Sequence, residues 1–495
     1  MGDQKIEWVT SFKYLGVTLQ SNLCWDEHIK NISKRATFTW AQCKKMVGSK
    51  WGLSPKICKY SFITLVRPIL AYGSFAWINA LSNKKQVSKL NKVQRLALLE
   101  IANGMHSTPT AGMEIIAGIL PIKIHLETVA INTCLRMKRN HTWRVQPGEV
   151  FKEENHSVIL ENLIKEIKDV RLPQDKLRHK EMTEKRYKIA IDSREDWIDR
   201  VVRPTPLDEK MVNIFTDGSK IAETSGCGYI TRGKHFSEKG FRNLGDKTTV
   251  FQAEITAIID ATENILGKDI TGKDINYYID SQAALKALSN YVVRHKTVSN
   301  CKNLLNKLSI NNSVKLQWIP AHRGHLGNEI ADRMARLGTG TNRYGPALLV
   351  PVPVSSSFTK KIIKRWANNK HQEFWDTIRD HRQSKMTMPQ VGMKVWNAVK
   401  KLTRKSMRIS THMLTGHNVL RYHLNNMDKE NSPMCEQCNE GFKEDAFHFI
   451  GRCAKWADIR YSIFRFHFLN KDQMSNINVQ KVLTFTRKTQ RYLEE

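Results

Sequence analysis

Between residues 210 and 340 the apolar positions change period from one stretch to the next. In VNIFTDGSK, Val212, Ile214 and Thr216 alternate with Asn213 and Phe215, which predicts a short strand with Asp217 at its end. In FQAEITAIIDATENIL, Phe251, Ile255, Ile258, Ile259, Ile265 and Leu266 fall on one helical face. INYYIDS is a short apolar and aromatic run that predicts a buried strand ending at Asp280. HRGHLGNEIAD reads as a glycine-rich loop passing into a helix. Strand, helix, strand, helix predicts an α/β sheet, with acids at strand ends and helix starts.

Those acids are Asp217, Glu254, Asp280 and Asp332. Four carboxylates brought together could not all stay ionised without compensating charge, and two divalent cations would supply it while activating water against a phosphodiester. Each residue alone has a plainer reading. Asp followed by Gly is ordinary turn chemistry, Glu254 could be a solvated helix residue, and Asp332 could face solvent.

These stretches closely resemble the ribonuclease H family, from about Lys210 to Gly338. The family's first acid lies in a TDGS motif, here Thr216–Ser219, and its glutamate lies on the first helix, here Glu254. The third lies in a strand-end DS pair, here Asp280–Ser281. The fourth closes H-x-G-H-x-x-N-E-x-x-D, read here as His322, Gly324, His325, Asn328, Glu329 and Asp332. The resemblance implies an α/β domain with a mixed sheet and flanking helices, cutting the RNA strand of RNA–DNA hybrids. It also implies two Mg²⁺ ions, with Mn²⁺ fitting the same hard oxygen ligands. Asp217, Glu254, Asp280 and Asp332 would be catalytic metal ligands, and His322 the mobile-loop histidine that assists proton exchange or product release. Gly218, Ser219, Gln252 and Asn328 are expected substrate contacts near the 2′-hydroxyls.

Composition fits a nucleic-acid partner. The 495 residues carry 79 Lys+Arg against 47 Asp+Glu, a formal net charge of +32, and the excess sits mainly in the two flanks. A polyanion would gain counterion-release free energy there. That length allows three or four domains.

Six of nine cysteines are scattered singly, no signal-peptide core opens the chain, and no apolar run is long enough for a membrane. An intracellular protein of nucleus or cytoplasm is expected, not a secreted one. The other three cysteines form Cys435-x2-Cys438-x9-His448-x4-Cys453, a spacing that offers four ligands to a tetrahedral, structural zinc. Nearby Lys443, Arg452, Lys455 and Trp456 would suit phosphate and base contacts, although small zinc modules also serve as protein-binding or purely structural pieces.

SFKYLGVTLQ and the helical stretches after it resemble the thumb region downstream of the polymerase palm in reverse transcriptases of non-LTR retrotransposons, with a KYLGV strand at Lys13–Val17. Val93, Ala97 and Ile101 form a helical stripe beside Lys89, Lys92 and Arg95, readable as a duplex-tracking helix or as plain core packing. No Asp-Asp pair occurs anywhere, so polymerase activity is not expected, and a separate reverse transcriptase chain is an expected partner. The expected organisation is a mainly helical thumb-like region (1–145), a charged connector (146–209), the ribonuclease H-like domain (210–340), a Pro-rich linker (341–357) and a basic helical tail (358–495) with the zinc segment at 435–453. A ribonuclease H derived from a retrotransposon is the leading reading. A catalytically inactive nucleic-acid-binding or protein-assembly fragment is the alternative.

Overall fold

The structure is a computed structural model that describes residues 8–48, 50–143, 155–198, 200–202, 204–206, 208–340, 352–475 and 477–492. It divides into two compact units, residues 168–362 and residues 1–167 together with 363–495. The first stretch of the expected connector (146–154) and most of the expected linker (341–351) lie outside the described residues.

The unit 168–362 is built on a six-stranded mixed sheet. In spatial order its strands are Lys188–Ala190, Ser313–Trp318, Asp274–Ile279, Met211–Ile221, Thr224–Arg232 and Ser237–Gly245. The first four run parallel, and the last two continue antiparallel from Met211–Ile221. Asp217 does not end its strand. The strand runs on to Ile221, and the chain turns at Ala222, whose φ is +54°. The connector also contributes more than linkage, because its Lys188–Ala190 forms the parallel edge strand.

Helices cover both faces. Thr249 caps the helix Val250–Leu266 in a reciprocal capping box with Gln252, and this helix buries Ile255, Ile258 and Ile265. Successive strand residues point to opposite faces, and Cys227 packs with Ala253 and Ala257 of that helix. Its neighbours Gly226 and Gly228 lie under Ala335 and Met334 of the opposing helix Leu326–Gly338, closer than a Cβ would allow.

The other unit is mainly helical. Val93, Ala97 and Ile101 are buried in the helix Lys84–Ala102, so the stripe is core packing. Lys13–Val17 is not one strand. Ser11–Tyr14 and Val17–Gln20 form an antiparallel hairpin, and Leu15 and Gly16 make its turn with φ of +45° and +84°. The N-terminal and C-terminal regions join in this unit. Asn103 Nδ2 donates to the Arg404 carbonyl at 2.9 Å, and Thr411 Oγ1 donates to the Ala102 carbonyl at 2.6 Å. Among the described residues no helix is long and apolar enough to cross a membrane.

Candidate active site and cysteine cluster

Strand register brings the first two acids together. Thr216 pairs with Ile279 across parallel strands, so the next residue on each, Asp217 and Asp280, come side by side at the strand spacing of about 4.8 Å. Glu254 arrives from the helix on the other face. A Cβ on Gly218 would lie 2.5 Å from the Glu254 backbone nitrogen, so only glycine admits the helix this closely. As a result, carboxylate oxygens of Asp217, Glu254 and Asp280 all lie within 4.8 Å of one another.

Such a cluster resists full ionisation. Burial and the charges of Asp280 and Asp332 raise the Asp217 pKa to about 7. Burial, then Asp217 and Asp280, push Glu254 well above the ordinary carboxylate range. Asp280 is raised by burial, although a hydrogen bond from Asn328 and the charge of His322 act the other way. Glu254 Oε2 is buried without a hydrogen-bond partner. Three hard oxygen donors and an orphaned buried carboxylate oxygen fit a divalent cation of the Mg²⁺ or Mn²⁺ type.

Asp332 stays outside this trio. Its carboxylate is held by Arg336 one turn along the same helix, at 2.9 Å to Nε and 2.8 Å to Nη2. That i,i+4 spacing of opposite charges is legible in the sequence itself. His322 is exposed in the loop before this helix, in a left-handed backbone conformation (φ +56°).

The four expected substrate contacts fall in different places. Gly218 is buried against the Glu254 helix, and Ser219 is half-buried. Asn328 is buried and donates Nδ2 to Asp280 Oδ2 at 3.1 Å, which makes it a positioning residue for that acid. Gln252 corrects the expectation. It is 1 % exposed, its Oε1 serves the capping box, and its Nε2 donates to Asp175 Oδ2 at 3.1 Å and the Pro353 carbonyl at 2.7 Å. No donor remains on it for a substrate. His325 is also structural, buried edge-on to Trp197 and accepting the Val202 N–H at Nδ1.

The four ligands at 435–453 converge as the spacing suggested. Cys435, Cys438, His448 and Cys453 place their ligand atoms within 4.8 Å of one another. Cys435 Sγ lies 3.9 Å from Cys453 Sγ, and Cys438 Sγ lies 3.5 Å from His448 Nε2. A tetrahedron with zinc–sulfur bonds of about 2.3 Å has sulfur–sulfur edges of about 3.8 Å. Burial and the neighbouring thiols push Cys453 up to about 12, so a thiolate there needs a cation. Arg460, fully buried, donates to the Ile450 carbonyl at 2.6 Å and the Cys453 carbonyl at 2.8 Å, tying the segment into the tail.

Residues 209–339 match the RNase H family. A retrovirus-related Pol polyprotein from the type-1 retrotransposable element R1 4 of Nasonia vitripennis is 26% identical over 136 residues, covering 28% of this chain and 34% of that protein. A 115 kDa protein of element R1DM from Drosophila melanogaster is 23% identical over 133 residues, covering 27% of this chain and 13% of that protein. The matched stretch therefore spans well under half the length of these relatives. Ribonuclease H of Campylobacter jejuni (strain RM1221) is 29% identical over 136 residues, covering 26% of this chain and 90% of the enzyme. The solved RNase H1 of Halobacterium salinarum NRC-1 is 21% identical with a TM-score of 0.22, covering 26% of this chain and 96% of that one. The chain thus carries an RNase H-like domain between helical regions, and its homologues are R1 non-LTR retrotransposon Pol polyproteins, in keeping with a part of such a polyprotein.

Proposed function

We propose that this chain hydrolyses the RNA strand of RNA–DNA hybrids at the site formed by Asp217, Glu254, Asp280 and Asp332. The observation that carries the reading is the carboxylate trio, with Asp217 and Glu254 buried and Asp280 half-buried, whose oxygens converge within 4.8 Å while Glu254 Oε2 has no partner. Two divalent cations bound there would activate a water and stabilise the departing 3′ oxygen.

The chain's own residues do the rest. Asp217, Glu254 and Asp280 would hold the positive charge between them. Asn328 fixes the Asp280 rotamer through its 3.1 Å hydrogen bond. Asp332 joins the set by turning from Arg336, a half-exposed pair whose exchange is cheap. His322, exposed on its loop, takes or returns a proton. Ser219 and the backbone around Gly218 face the RNA strand, and Gln252 is withdrawn from that role. Cys435, Cys438, His448 and Cys453 would hold one structural zinc.

Incubating the purified chain with end-labelled hybrid and Mg²⁺ tests the reading. Cleavage of the RNA strand that is absent in Asp217→Asn is the expected result. Binding of hybrid without any cleavage would favour the alternative of a non-catalytic nucleic-acid-binding fragment.

A further inference from the structure

Arg336 and Asp332 grip each other across one turn of the helix Leu326–Gly338. Nε donates to Oδ1 at 2.9 Å and Nη2 to Oδ2 at 2.8 Å, the forked contact that a guanidinium makes with a carboxylate or with a phosphate. Both oxygens of Asp332 are engaged, so the contact must open before this carboxylate can serve a cation. The two side chains are 57 % and 27 % exposed, and solvent weakens the pair. Both charges reach the carboxylate trio. Asp332 acts on Asp217 and Asp280, and Arg336 acts on Asp217.

The backbone beneath this pair is fixed. A Cβ on Gly228 would lie 2.2 Å from the Ala335 nitrogen, and one on Gly226 would lie 2.4 Å from the Ala335 carbonyl oxygen. The helix is therefore seated directly on the strand Thr224–Arg232, and rearrangement at Asp332 and Arg336 falls to rotation of their side chains. Each partner has a second use once the contact opens. Asp332 offers hard oxygens to a divalent cation beside the trio. Arg336 offers the same fork to a phosphate. A phosphodiester drawn to a cation on Asp332 comes within range of the guanidinium, because both neighbour the one carboxylate.

We propose that Asp332 and Arg336 form an exchange pair, in which Asp332 passes to the second divalent ion while Arg336 passes to a phosphate of the RNA strand. Both events break the same contact, so each makes the other easier. By linkage, hybrid tightens the second ion by the factor with which that ion tightens hybrid. The pair would thus keep the second ion site weak until substrate arrives. This inference rests on the proposed role of Asp332 as a ligand of that ion.

Two binding measurements on the full chain test the proposal, and neither requires cleavage. The variant is Arg336→Gln, which removes the charge and keeps a good helix former on an exposed face. In calorimetric Mn²⁺ titrations without nucleic acid it should tighten the weaker of two ions about fivefold, the upper end for a half-exposed ion pair, and leave the tighter ion unchanged. In fluorescence anisotropy with labelled hybrid it should weaken binding about tenfold when Ca²⁺ fills the oxygen sites, the low end for hydrogen bonds to a charged group. In EDTA, where Asp332 already occupies the guanidinium, the loss should stay below about twofold. Equal loss of hybrid affinity in EDTA and Ca²⁺, an unchanged constant for the weaker ion, or a parent chain that takes a single ion would each overturn the exchange. If the expected shifts appear in a parent chain that never cuts hybrid, the exchange stands and the hydrolysis reading falls.

Discussion

Gly218 and Glu254 meet so closely that a methyl group on Gly218 would fall 2.5 Å from the Glu254 backbone nitrogen and 2.8 Å from the Ala253 carbonyl carbon. This contact sets where the glutamate stands relative to Asp217, the residue before Gly218. Gly218→Ala must push the helix Val250–Leu266 off the sheet, because backbone atoms cannot rotate away. Overpacking of this kind costs about 1–3 kcal/mol. The expected outcome is a lower urea midpoint together with a fall in kcat of tenfold or more. Full activity with lowered stability would show that the trio tolerates a displaced helix.

Asp217→Asn and His322→Ala should differ in kind. The first removes a central ligand and should abolish hybrid cleavage while leaving hybrid affinity within about twofold, since no basic contact is lost. The second touches only an exposed loop residue and should slow turnover by about tenfold to a hundredfold, at the lower end of proton-transfer effects. Single-turnover cleavage beside an affinity measurement reads both. Equal loss in the two variants would mean that the histidine does more than move a proton.

The raised acids also predict how stability follows pH. The folded Asp217 titrates near 7, against about 3.9 for an unfolded aspartate, so between these values the folded state holds the extra proton. Stability without divalent cation should therefore fall as pH rises from about 4 through about 7. Glu254 and Asp280 are raised as well and push in the same direction. Hydrogen exchange of the strand Met211–Ile221 in EDTA measures this, and Mg²⁺ should restore protection most at pH 8. In Asp217→Asn the pH dependence should be shallower. A rise in protection with pH in EDTA would contradict the clustering.

Much of the site was legible because acids and elements follow one another in a short stretch. Asp280 ends a run whose apolar and aromatic residues could hardly be anything but a strand, and Glu254 rides an unbroken helical period. The two antiparallel strands Thr224–Arg232 and Ser237–Gly245 are hard to see in the sequence. Gly226, Gly228 and Gly240 dilute their pattern, and the first two are glycines because a helix lies on them. Thr249-x-x-Gln252 is itself a capping-box pattern, which in the sequence already points Gln252 toward the helix start and away from a substrate. The union of the N-terminal region with the tail rests on pairs such as Asn103 with Arg404, some 300 residues apart, and no local period encodes such a contact.

Asp175 shows why a fragment cut at residue 210 should be weaker than one cut at 168. It is 1 % exposed, and it accepts from Gln252 Nε2 at 3.1 Å and from the Thr297 backbone N–H at 2.9 Å. Hydrogen bonds to a charged group contribute about 1.5–3 kcal/mol each. Losing both, with the edge strand Lys188–Ala190, should lower the melting temperature of 210–340 by roughly 6–12 °C or more relative to 168–362. Gln252→Ala in the longer fragment should reproduce part of this loss and leave KM for hybrid unchanged. A raised KM at unchanged stability would return Gln252 to the substrate.

The cysteine cluster is the remaining test, and its outcome should be local. Zinc would hold residues 435–453 through Cys435, Cys438, His448 and Cys453, but other contacts anchor the same segment. Glu444, 2 % exposed, takes two hydrogen bonds from Arg491 at 3.0 and 2.9 Å and one from the Arg421 backbone at 3.0 Å. Cys438→Ser should therefore release one zinc per chain and open the segment to protease between these anchors, without unfolding the helix Arg404–Thr415. Metal removal leaves Cys453 as a buried neutral thiol, so zinc loss should be favoured by acid, where protons compete for the thiolates. Hybrid cleavage should continue, because none of the four ligands belongs to the carboxylate site. Elemental analysis and limited proteolysis decide the matter. A purified chain without zinc, or a Cys438→Ser tail as resistant as the parent, would leave the four ligands as a convergence that holds no metal.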